Sequence, residues 1–314
     1  MSDSTPTVVL CPGQGAQQVG MGLEWSKHNQ AARQVFAQAD QILGFELSKL
    51  SFEGPAELLN RTEMTQAALY TAGVACFRAL VDQNLIDPAG VVVVAGLSLG
   101  EFTALHLAGA LDFADGLKLV RLRGQAMQDA AEAVEGGSGM VALIGADEQK
   151  ANALCDAARE DGVLVPANFN APGQVVISGS ADACRRAVQK AGEFELVAKA
   201  LVVAGAFHSP LMKPAADRLA QALDEASWTP PGTTVISNVT ARPHDGADVE
   251  SIKALLVDQL THPVRWAESM AWAIQNRPGR YVELAPNRVL GGLMRRIDRS
   301  IKVENYAEPP KVAS

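Results

Sequence analysis

The chain has 314 residues, of which 48% are hydrophobic, and a formal net charge of −8 at pH 7. That length suits one large domain or two modest ones, and the acidic balance argues against nucleic-acid binding, which needs a dense basic surface. No apolar run approaches the roughly 20 residues of a membrane span, and residues 1–7 lack the pattern of a secretion signal, so we expect no membrane association and a cytoplasmic location.

The cysteines are isolated in the sequence, at Cys11, Cys76, Cys155 and Cys184. None belongs to a Cys-x-x-Cys pair and no histidine cluster accompanies them, so the sequence predicts neither a zinc site nor a disulfide framework. We expect buried, reduced thiols and no bound metal.

The first part of the chain alternates strands with helical stretches. The predicted elements are a strand at Thr7–Cys11, a helix-rich stretch to about Asn84 with a break at Gly54–Pro55, a strand at Val91–Gly96, and helices at Glu101–Leu107 and from Phe113 to about Val134. The second strand is wholly apolar, which is typical of a central strand buried on both faces.

A small inserted domain is predicted at residues 137–205, after the glycine-rich linker Gly136–Gly139. Its elements are a strand at Met140–Ile144, a helix at Asp147–Arg159, strands at Val163–Ala167 and Val175–Ser178, a helix at Ala181–Ala191 and a strand at Leu196–Val203. This β-α-β-β-α-β order is that of a ferredoxin-like unit. Residues 1–136 and 206–314 would then form one large, discontinuous domain.

The remaining chain returns to that large domain. It predicts helices at Pro214–Ala226, Val249–Leu260, Pro263–Asn276 and Val289–Arg296, and strands at Thr234–Ser237 and Tyr281–Leu284. The tail from Glu308 is expected to be disordered.

The sharpest motif is Gly96-Leu97-Ser98-Leu99-Gly100, which fits G-x-S-x-G between an apolar strand and a helix. So tight a turn leaves the serine Oγ exposed, and the N–H groups of the following helix can stabilise a developing oxyanion. The sequence therefore predicts a nucleophile at Ser98, against the alternative of a plain strand–helix turn with a capping serine.

A nucleophilic serine needs a base, and the five histidines are His28, His106, His208, His244 and His262. We interpret His28 as a surface residue, His106 as a packing residue, and His244 and His262 as loop residues. His208 follows an apolar predicted strand and a small-residue turn, where a base would be held, so it is the candidate.

Two further features have both a structural and a functional interpretation. The loop Pro12–Gly15 follows a strand and lacks a phosphate-binding signature, so it is either a tight turn or an oxyanion loop facing Ser98. Arg123 lies on a predicted helix, where most arginines are solvated; a functional role would require an acidic substrate.

Motifs along nearly the whole chain share the order and spacing of one family. They are Pro12–Gln17, Gly20–Gly22, Thr65–Ala68, Gly96–Glu101, Arg123–Gly124, Met127–Gln128, Asn168–Gln174, His208, Leu211–Ala215, Asn238–Val239, Gln259–Leu260 and Pro263–Trp266. Together they resemble the malonyl-CoA:acyl carrier protein transacylase family and, by extension, the acyltransferase domains of fatty acid and polyketide synthases. The resemblance implies an α/β fold: an α/β-hydrolase-like large domain with a parallel sheet and a nucleophile elbow, plus the ferredoxin-like small domain.

The resemblance also implies a role for each matching residue. It implies that Ser98 is the nucleophile, that His208 is its base and that Arg123 binds the malonyl carboxylate. The backbone N–H groups of Gln14 and Leu99 would form the oxyanion hole. The main-chain carbonyl of Gln259 would orient the histidine, and Asn170 would lie near the substrate cleft. Malonyl-CoA and acyl carrier protein would be the substrates, in fatty acid biosynthesis, with no cofactor. A monomer is expected.

The sequence departs from the family pattern at three places. Leu97 replaces a usual histidine beside the nucleophile, which affects substrate selectivity. Phe207 stands where many stand-alone members have serine; in polyketide acyltransferase domains a phenylalanine there accompanies malonyl choice, because its ring fills the space of a 2-methyl group. Ala285–Asn287 replaces a Gly-Pro start, and we attach no function to that change.

Three other functions remain open from the sequence. They are a trans-acting polyketide synthase acyltransferase, an acyl-thioester hydrolase on the same fold, and a catalytically silent scaffold that binds carrier protein. For docking of an acidic carrier protein, the candidate cations are Arg277, Arg280, Arg288, Arg295, Arg296 and Arg299, together with Arg185, Arg186 and Lys190; the alternative is a solvated basic face.

Overall fold

The computed structural model describes residues 5–245 and 248–310. The strands are β1 (Thr7–Cys11), β2 (Val91–Gly96), β3 (Ser138–Ala146), β4 (Leu164–Ala171), β5 (Gly173–Ser180), β6 (Val197–Ala200), β7 (Thr234–Val235), β8 (Arg280–Leu284) and β9 (Val303–Tyr306). The α-helices are α1 (Leu23–His28), α2 (Gln30–Leu43), α3 (Leu47–Glu53), α4 (Ala56–Leu59), α5 (Thr62–Asp82), α6 (Gly100–Leu107), α7 (Phe113–Glu132), α8 (Glu148–Arg159), α9 (Ala181–Lys190), α10 (Lys213–Glu225), α11 (Val249–Asp258), α12 (Trp266–Asn276) and α13 (Val289–Ile297).

The large domain is built on a parallel sheet with strand order β7-β2-β1-β8-β9. The last four residues of β2 are buried, which confirms the prediction that the second strand is a central one covered on both faces, and all five residues of β1 are buried as well. Cys11 pairs with Gly96 at the carboxyl ends of these strands. The two loops that follow therefore begin side by side, at the edge where α/β sheets place their ligands.

The small domain has an antiparallel sheet of order β4-β5-β3-β6, and α8 and α9 pack together over it. This is the predicted ferredoxin-like arrangement, so the fold class is confirmed. All four strands fall inside residues 137–205, while the limits of the domain themselves stay a prediction.

Three predicted elements differ from the structure. The strand predicted at Leu196–Val203 ends at Ala200, and β6 is a largely exposed edge strand instead of a buried one. The helix predicted from Pro263 begins at Trp266, because the N–H of Val264 donates to Ala167 O and its carbonyl accepts from Phe169 N, which extends this segment beside β4. We did not predict β9.

The sequence also predicts a chain break, the state of the cysteines and the state of the C-terminal tail. The chain breaks between α3 and α4 at Gly54–Pro55, as predicted. All four cysteines are free and buried. In the tail predicted as disordered, residues 308–310 have no regular structure and residues 311–314 lie outside the described part of the chain. No helix in the described ranges is both long and apolar enough to span a membrane.

Candidate active site

Ser98 sits in a strained turn between β2 and α6. Its φ is 53°, a left-handed conformation that few residues other than glycine adopt. The glycines on either side make the turn possible, because a Cβ on Gly96 would lie 1.9 Å from the carbonyl of Gly100. Asn238 supports the turn from both sides: its Oδ1 accepts from Ser98 N at 2.6 Å and its Nδ2 donates to Gly96 O at 2.7 Å.

The loop after β1 packs directly on this turn. A Cβ on Gly13 would lie 2.2 Å from Leu97 O, and one on Gly100 would lie 2.1 Å from Cys11 O, so only glycines permit so close an approach. The loop that contains Gln14 therefore packs on the turn that contains Leu99, the residue that precedes the first turn of α6.

His208 contacts Ser98. Its Nε2 lies 2.9 Å from Ser98 Oγ, and its Nδ1 lies 2.7 Å from the carbonyl oxygen of Gln259. Because a carbonyl only accepts, Nδ1 bears the proton and Nε2 is free to accept one from Oγ. Burial, and next the positive charge of Arg123, lower the pKa of His208 to about 4, so the ring is a neutral base at physiological pH.

The route by which we predicted His208 is partly wrong. The preceding strand is neither buried nor adjacent, since β6 ends at Ala200 and Val202 is fully exposed. What fixes the histidine is its own tight turn, with φ of 57°, and the bond to Gln259. An apolar run followed by a small-residue turn thus indicates the histidine that contacts Ser98, although the strand does not extend to it.

Arg123 is buried, with 1% of its surface exposed, so its interpretation as a solvated helix residue is wrong. Nη1 donates to Gln66 Oε1 at 2.7 Å, and Nη2 donates to Gln259 Oε1 at 2.8 Å and to Ser98 Oγ at 3.1 Å. Helices α5 and α7 pack closely enough for this because residue 124 is a glycine, where a Cβ would lie 2.6 Å from Cα of Glu63. A positive charge therefore faces the hydroxyl of Ser98.

Gln259 connects these groups. Its carbonyl holds His208, its Oε1 holds Arg123, and its Nε2 donates to Ser98 O at 3.1 Å and to Glu101 Oε2 at 2.7 Å. Its side chain is fully buried and so has one fixed arrangement. The residue predicted only as a backbone acceptor is therefore also a side-chain bridge.

A buried pair that the sequence did not predict lies below this bridge. Glu101 Oε1 accepts from His244 Nε2 at 2.7 Å, and Oε2 accepts from the backbone N–H of Asn238 at 3.1 Å. Both side chains of the pair are almost completely buried. We interpreted His244 only as a loop residue; the one local signal was an acidic residue directly after the G-x-S-x-G motif.

The side chains of the other three histidines have partners other than Ser98. His106 packs against Tyr70 and Phe113 and bonds Leu111 O, as predicted. His28 is exposed and lies 3.4 Å from Glu24. His262 is exposed and its side chain bonds Asp258 O.

A cleft of about 720 Å³ opens above Ser98, between the two domains. Leu97 and Phe207 line it from the large domain, and Asn168 and Asn170 line it from β4. The Oδ1 of Asn170 is buried and has no hydrogen-bond partner among the described residues. The structure therefore places every predicted site residue in this cleft or directly behind it, with Arg123 and Gln259 in the layer beneath Ser98.

A sequence model of the acyl transferase domain family matches residues 8–308. The malonyl CoA-acyl carrier protein transacylase of Escherichia coli (strain K12) is 40% identical over 315 residues, which cover 99% of this chain and 98% of that protein. The solved structure of the malonyl CoA-acyl carrier protein transacylase from Coxiella burnetii has a TM-score of 0.92 and 38% identity, over 96% of this chain and 94% of the other. A type II PKS acyl-carrier protein in complex with its malonyl-transacylase matches with a TM-score of 0.91 and 36% identity, over 97% and 96%.

Proposed function

The chain belongs to the acyl transferase family, in its malonyl CoA-acyl carrier protein transacylase group, and we propose that it transfers malonyl to carrier protein through a malonyl ester on Ser98. The enzyme is an acyltransferase of fatty acid biosynthesis that moves malonyl from coenzyme A to acyl carrier protein. The observation that carries the proposed chemistry is the contact of one hydroxyl with a base and a cation: Ser98 Oγ lies 2.9 Å from His208 Nε2 and 3.1 Å from Arg123 Nη2.

In the first half-reaction His208 Nε2 takes the proton of Ser98 Oγ as the oxygen attacks the thioester carbonyl. The carbonyl oxygen becomes an oxyanion, which accepts hydrogen bonds from the N–H groups of Gln14 and Leu99. The C–S bond then breaks, coenzyme A leaves as the thiol with the proton from His208, and malonyl-Ser98 remains. The bond from Nδ1 to Gln259 O stabilises the imidazolium, so no triad carboxylate is needed.

In the second half-reaction the phosphopantetheine thiol of the carrier protein gives its proton to His208 and attacks the ester carbonyl. The C–O bond to Ser98 breaks, and Oγ recovers the proton. Exchange between two thioesters changes no oxidation state, so the mechanism calls for no redox cofactor and assigns no step to a metal.

Arg123 is proposed to bind the free carboxylate of the malonyl group. Its Nη2 already touches Oγ, and only a CH₂ separates the ester carbonyl of malonyl-Ser98 from that carboxylate. The Nε–H of Arg123 is buried and has no partner in the described ranges, so the guanidinium has a donor to offer beside Nη2. Two parallel N–H···O bonds are the geometry in which arginine recognises carboxylates.

Two alternatives have less support. A hydrolase for varied acyl chains would gain nothing from a cation buried beside the nucleophile, and a silent scaffold would not need Ser98 and His208 in hydrogen-bond contact. A polyketide role keeps one specific argument, since one similar structure is the complex with a type II PKS acyl-carrier protein. A monomeric, cytoplasmic enzyme remains part of this proposal.

The decisive test is intact mass spectrometry after brief exposure to malonyl-CoA, followed by addition of phosphopantetheinylated carrier protein. We expect a malonyl adduct on Ser98 that is slowly lost in water and rapidly lost to the carrier protein. Absence of the adduct would overturn the ester mechanism, and equally rapid loss in water would favour a hydrolase.

A further inference from the structure

Arg123 has no ionic partner in contact. Its recorded partners are the neutral oxygens of Gln66, Gln259 and Ser98, and no carboxylate in residues 5–245 and 248–310 lies within 4.0 Å of the guanidinium. A buried cation without compensation is costly, because burial removes the water that would solvate it. Either the charge stays uncompensated until substrate arrives, or a negative charge acts on it from further away.

Glu101 supplies such a charge. Its side chain is 1% exposed, and it lies on the far side of the Gln259 amide from Arg123. The amide oxygen faces the guanidinium and the amide nitrogen faces the carboxylate, so the dipole of Gln259 is aligned between the two charges. Arginine only donates and a carboxylate only accepts, which fixes this orientation of the amide.

The carboxylate is also prevented from reaching the arginine. His244 Nε2 donates to Oε1 at 2.7 Å, while Gln259 Nε2 and the N–H of Asn238 donate to Oε2 at 2.7 Å and 3.1 Å. With all three neighbours donating, both oxygens are engaged and the side chain cannot swing toward Arg123. The acyl-transfer steps use none of these contacts, so the pair Glu101–His244 has no role in the chemistry described above.

We propose that Glu101, held in place by His244, is the permanent counter-ion of Arg123. The side-chain amide of Gln259 separates the two charges, so the charge of the guanidinium is compensated while its donors stay free to bind the malonyl carboxylate. Glu101 is thus a positioning residue that acts through Gln259. A carboxylate in direct contact would compete with the substrate for the same donors. With the amide in between, the Nε–H of Arg123 has no partner among the described residues, and the bond from Nη2 to Ser98 Oγ can be exchanged for a bond to the substrate. Burial lowers the pKa of Arg123 and the Glu101 charge acts in the opposite direction, as a counter-ion would.

The proposal rests on the proposed function, because it takes Arg123 as the carboxylate site. It predicts that Glu101 and the malonyl carboxylate compete as counter-ions. Without the Glu101 charge, the free enzyme should be less stable, and the malonyl group should be bound more strongly relative to acetyl. A purely structural role of Glu101 would lower both transfers together or weaken malonyl preference.

Glu101→Gln removes the charge with little change of hydrogen bonding. The new Oε1 can accept from Gln259 and Asn238, and the new NH₂ can donate to His244 Nε2, because His244 Nδ1 has no partner in the described structure and can take the ring proton. We expect the malonyl-to-acetyl ratio of kcat/KM to rise roughly tenfold to thirtyfold, the range of a charge pair at about 8–12 Å in a protein of effective dielectric about 20. The melting temperature should fall for the free enzyme and recover more on malonyl-CoA addition than it does in the wild type.

Two further variants make the result specific. Glu101→Asp keeps the charge and should leave the ratio near the wild-type value. Glu283→Gln is the matched control: Glu283 is also a fully buried carboxylate, but it accepts from Leu290 N and Gly291 N at the start of α13, so this variant should lose stability without a malonyl-specific recovery.

An unchanged or lower malonyl-to-acetyl ratio in Glu101→Gln would overturn the proposal, while a malonyl adduct on Ser98 in that variant would leave the proposed function intact. If Glu101→Gln does not fold, the double variant with Arg123→Gln should, because both charges then leave together. In that case a double variant that also fails to fold would equally overturn the proposal; where both single variants fold, so would a double variant no more stable than the sum of the two single changes predicts.

Discussion

The two sides of the cleft are built differently. On the large-domain side, Ser98, His208, Arg123 and Gln259 are 8%, 4%, 1% and 0% exposed, and each bonds at least one of the others. On the small-domain side, the wall after β6 exposes apolar side chains, with Val202 fully exposed. Proton transfer between heavy atoms requires fixed positions, whereas the opposite wall only has to admit a long thioester and a protein. We therefore expect substitutions on the large-domain side to change the chemistry, and those on the small-domain wall to change access.

The largest effect should come from Ser98→Ala, which removes the attacking oxygen. The variant should form no acyl-enzyme, while its thermal unfolding stays close to that of the wild type because alanine is no worse than serine at this φ. Intact mass spectrometry and a melting curve measure the two properties. A malonyl adduct that maps to another residue of the variant would contradict the assignment of the nucleophile.

Arg123→Ala should have the next largest effect. Removal of one partner of a buried ionic contact costs about 2–5 kcal/mol, so malonyl transfer should fall roughly 30-fold to several thousand-fold. Acetyl transfer should fall far less or increase, because acetyl offers the guanidinium no carboxylate. Arg123→Lys should restore only part of the loss, since an ammonium lacks the two-pronged geometry.

Steady-state kinetics with malonyl-CoA and acetyl-CoA tests this prediction. An unchanged preference between the two substrates would mean that Arg123 does not bind the carboxylate. Val202→Ala, on the small-domain wall, is the control and should leave that preference unchanged.

These predictions use residues that the sequence identified with unequal success. Ser98 was recognisable because the elbow is a local signal: two glycines and a serine between an apolar strand and a helix. Gln259 came only from the family resemblance, since it lies 161 positions from Ser98 and its function depends on a backbone carbonyl. Glu101 and His244 are 143 positions apart, and no periodic pattern in the sequence indicates that they are in contact.

The errors in the fold have the same origin. The run Leu196–Val203 is apolar enough to predict a buried strand, but β6 lies at a sheet edge and is largely exposed, and residues 201–203, which follow it, line the cleft. The short strand β9 has two adjacent polar residues, Glu304 and Asn305, and only its pairing with β8 makes it a strand. In both segments the tertiary surroundings determine the structure, and the local sequence carries no information about those surroundings.

The third effect concerns Phe207, which is 5% exposed and lines the cleft beside His208. Phe207→Ala should open space for a 2-methyl group and reduce the discrimination against methylmalonyl-CoA by about 10- to 200-fold, the range for one methylene-sized difference in an apolar pocket. The ratio of kcat/KM for malonyl-CoA and methylmalonyl-CoA measures it. If the ratio does not change, the ring does not contact the 2-position of the acyl group.

A smaller effect is expected in the pH dependence. Since the pKa of His208 is lowered to about 4, kcat/KM for acetyl-CoA should stay level from pH 8 down to about pH 5 and fall only below that. Arg123→Gln removes the second cause of the lowering, so its acid limb should lie at higher pH. A wild-type limb at the ordinary histidine value of about 6.5 would contradict the effect of burial.

The same shift has a consequence for stability. The folded-state pKa of His208 is below the unfolded value, so the unfolded chain binds the proton more readily, and the histidine's contribution to stability is lost as pH falls from about 6.5 toward 4. Urea unfolding measures the free energy of unfolding of the wild type and of His208→Gln across this range. As the pH falls, the free energy of unfolding should decrease more for the wild type than for the variant.

The smallest effect should come from the surface beside the cleft. Arg295, Arg296 and Arg299 on and after α13 are exposed, line a depression of about 810 Å³ with Pro172, and have no acidic partner among the residues described. Of the other candidate cations, Arg280 is paired with Glu304, Arg185 with Asp182 and Arg186 with Glu160. We therefore test the docking hypothesis at the end of α13, where three arginines lie together around one depression.

Charge at the rim of an interface mainly accelerates encounter, and salt weakens it over a Debye length of about 8–10 Å. Arg295→Glu with Arg296→Glu should therefore raise KM for carrier protein a few-fold at low salt, leave kcat unchanged, and leave transfer to free pantetheine untouched. Arg185→Glu, on the small domain and already ion-paired, is the control and should change neither. If malonyl transfer to carrier protein and transfer to free pantetheine show the same salt dependence in the wild type, these arginines are a solvated face and guide no partner. The two sides of the cleft would then differ in their chemistry alone.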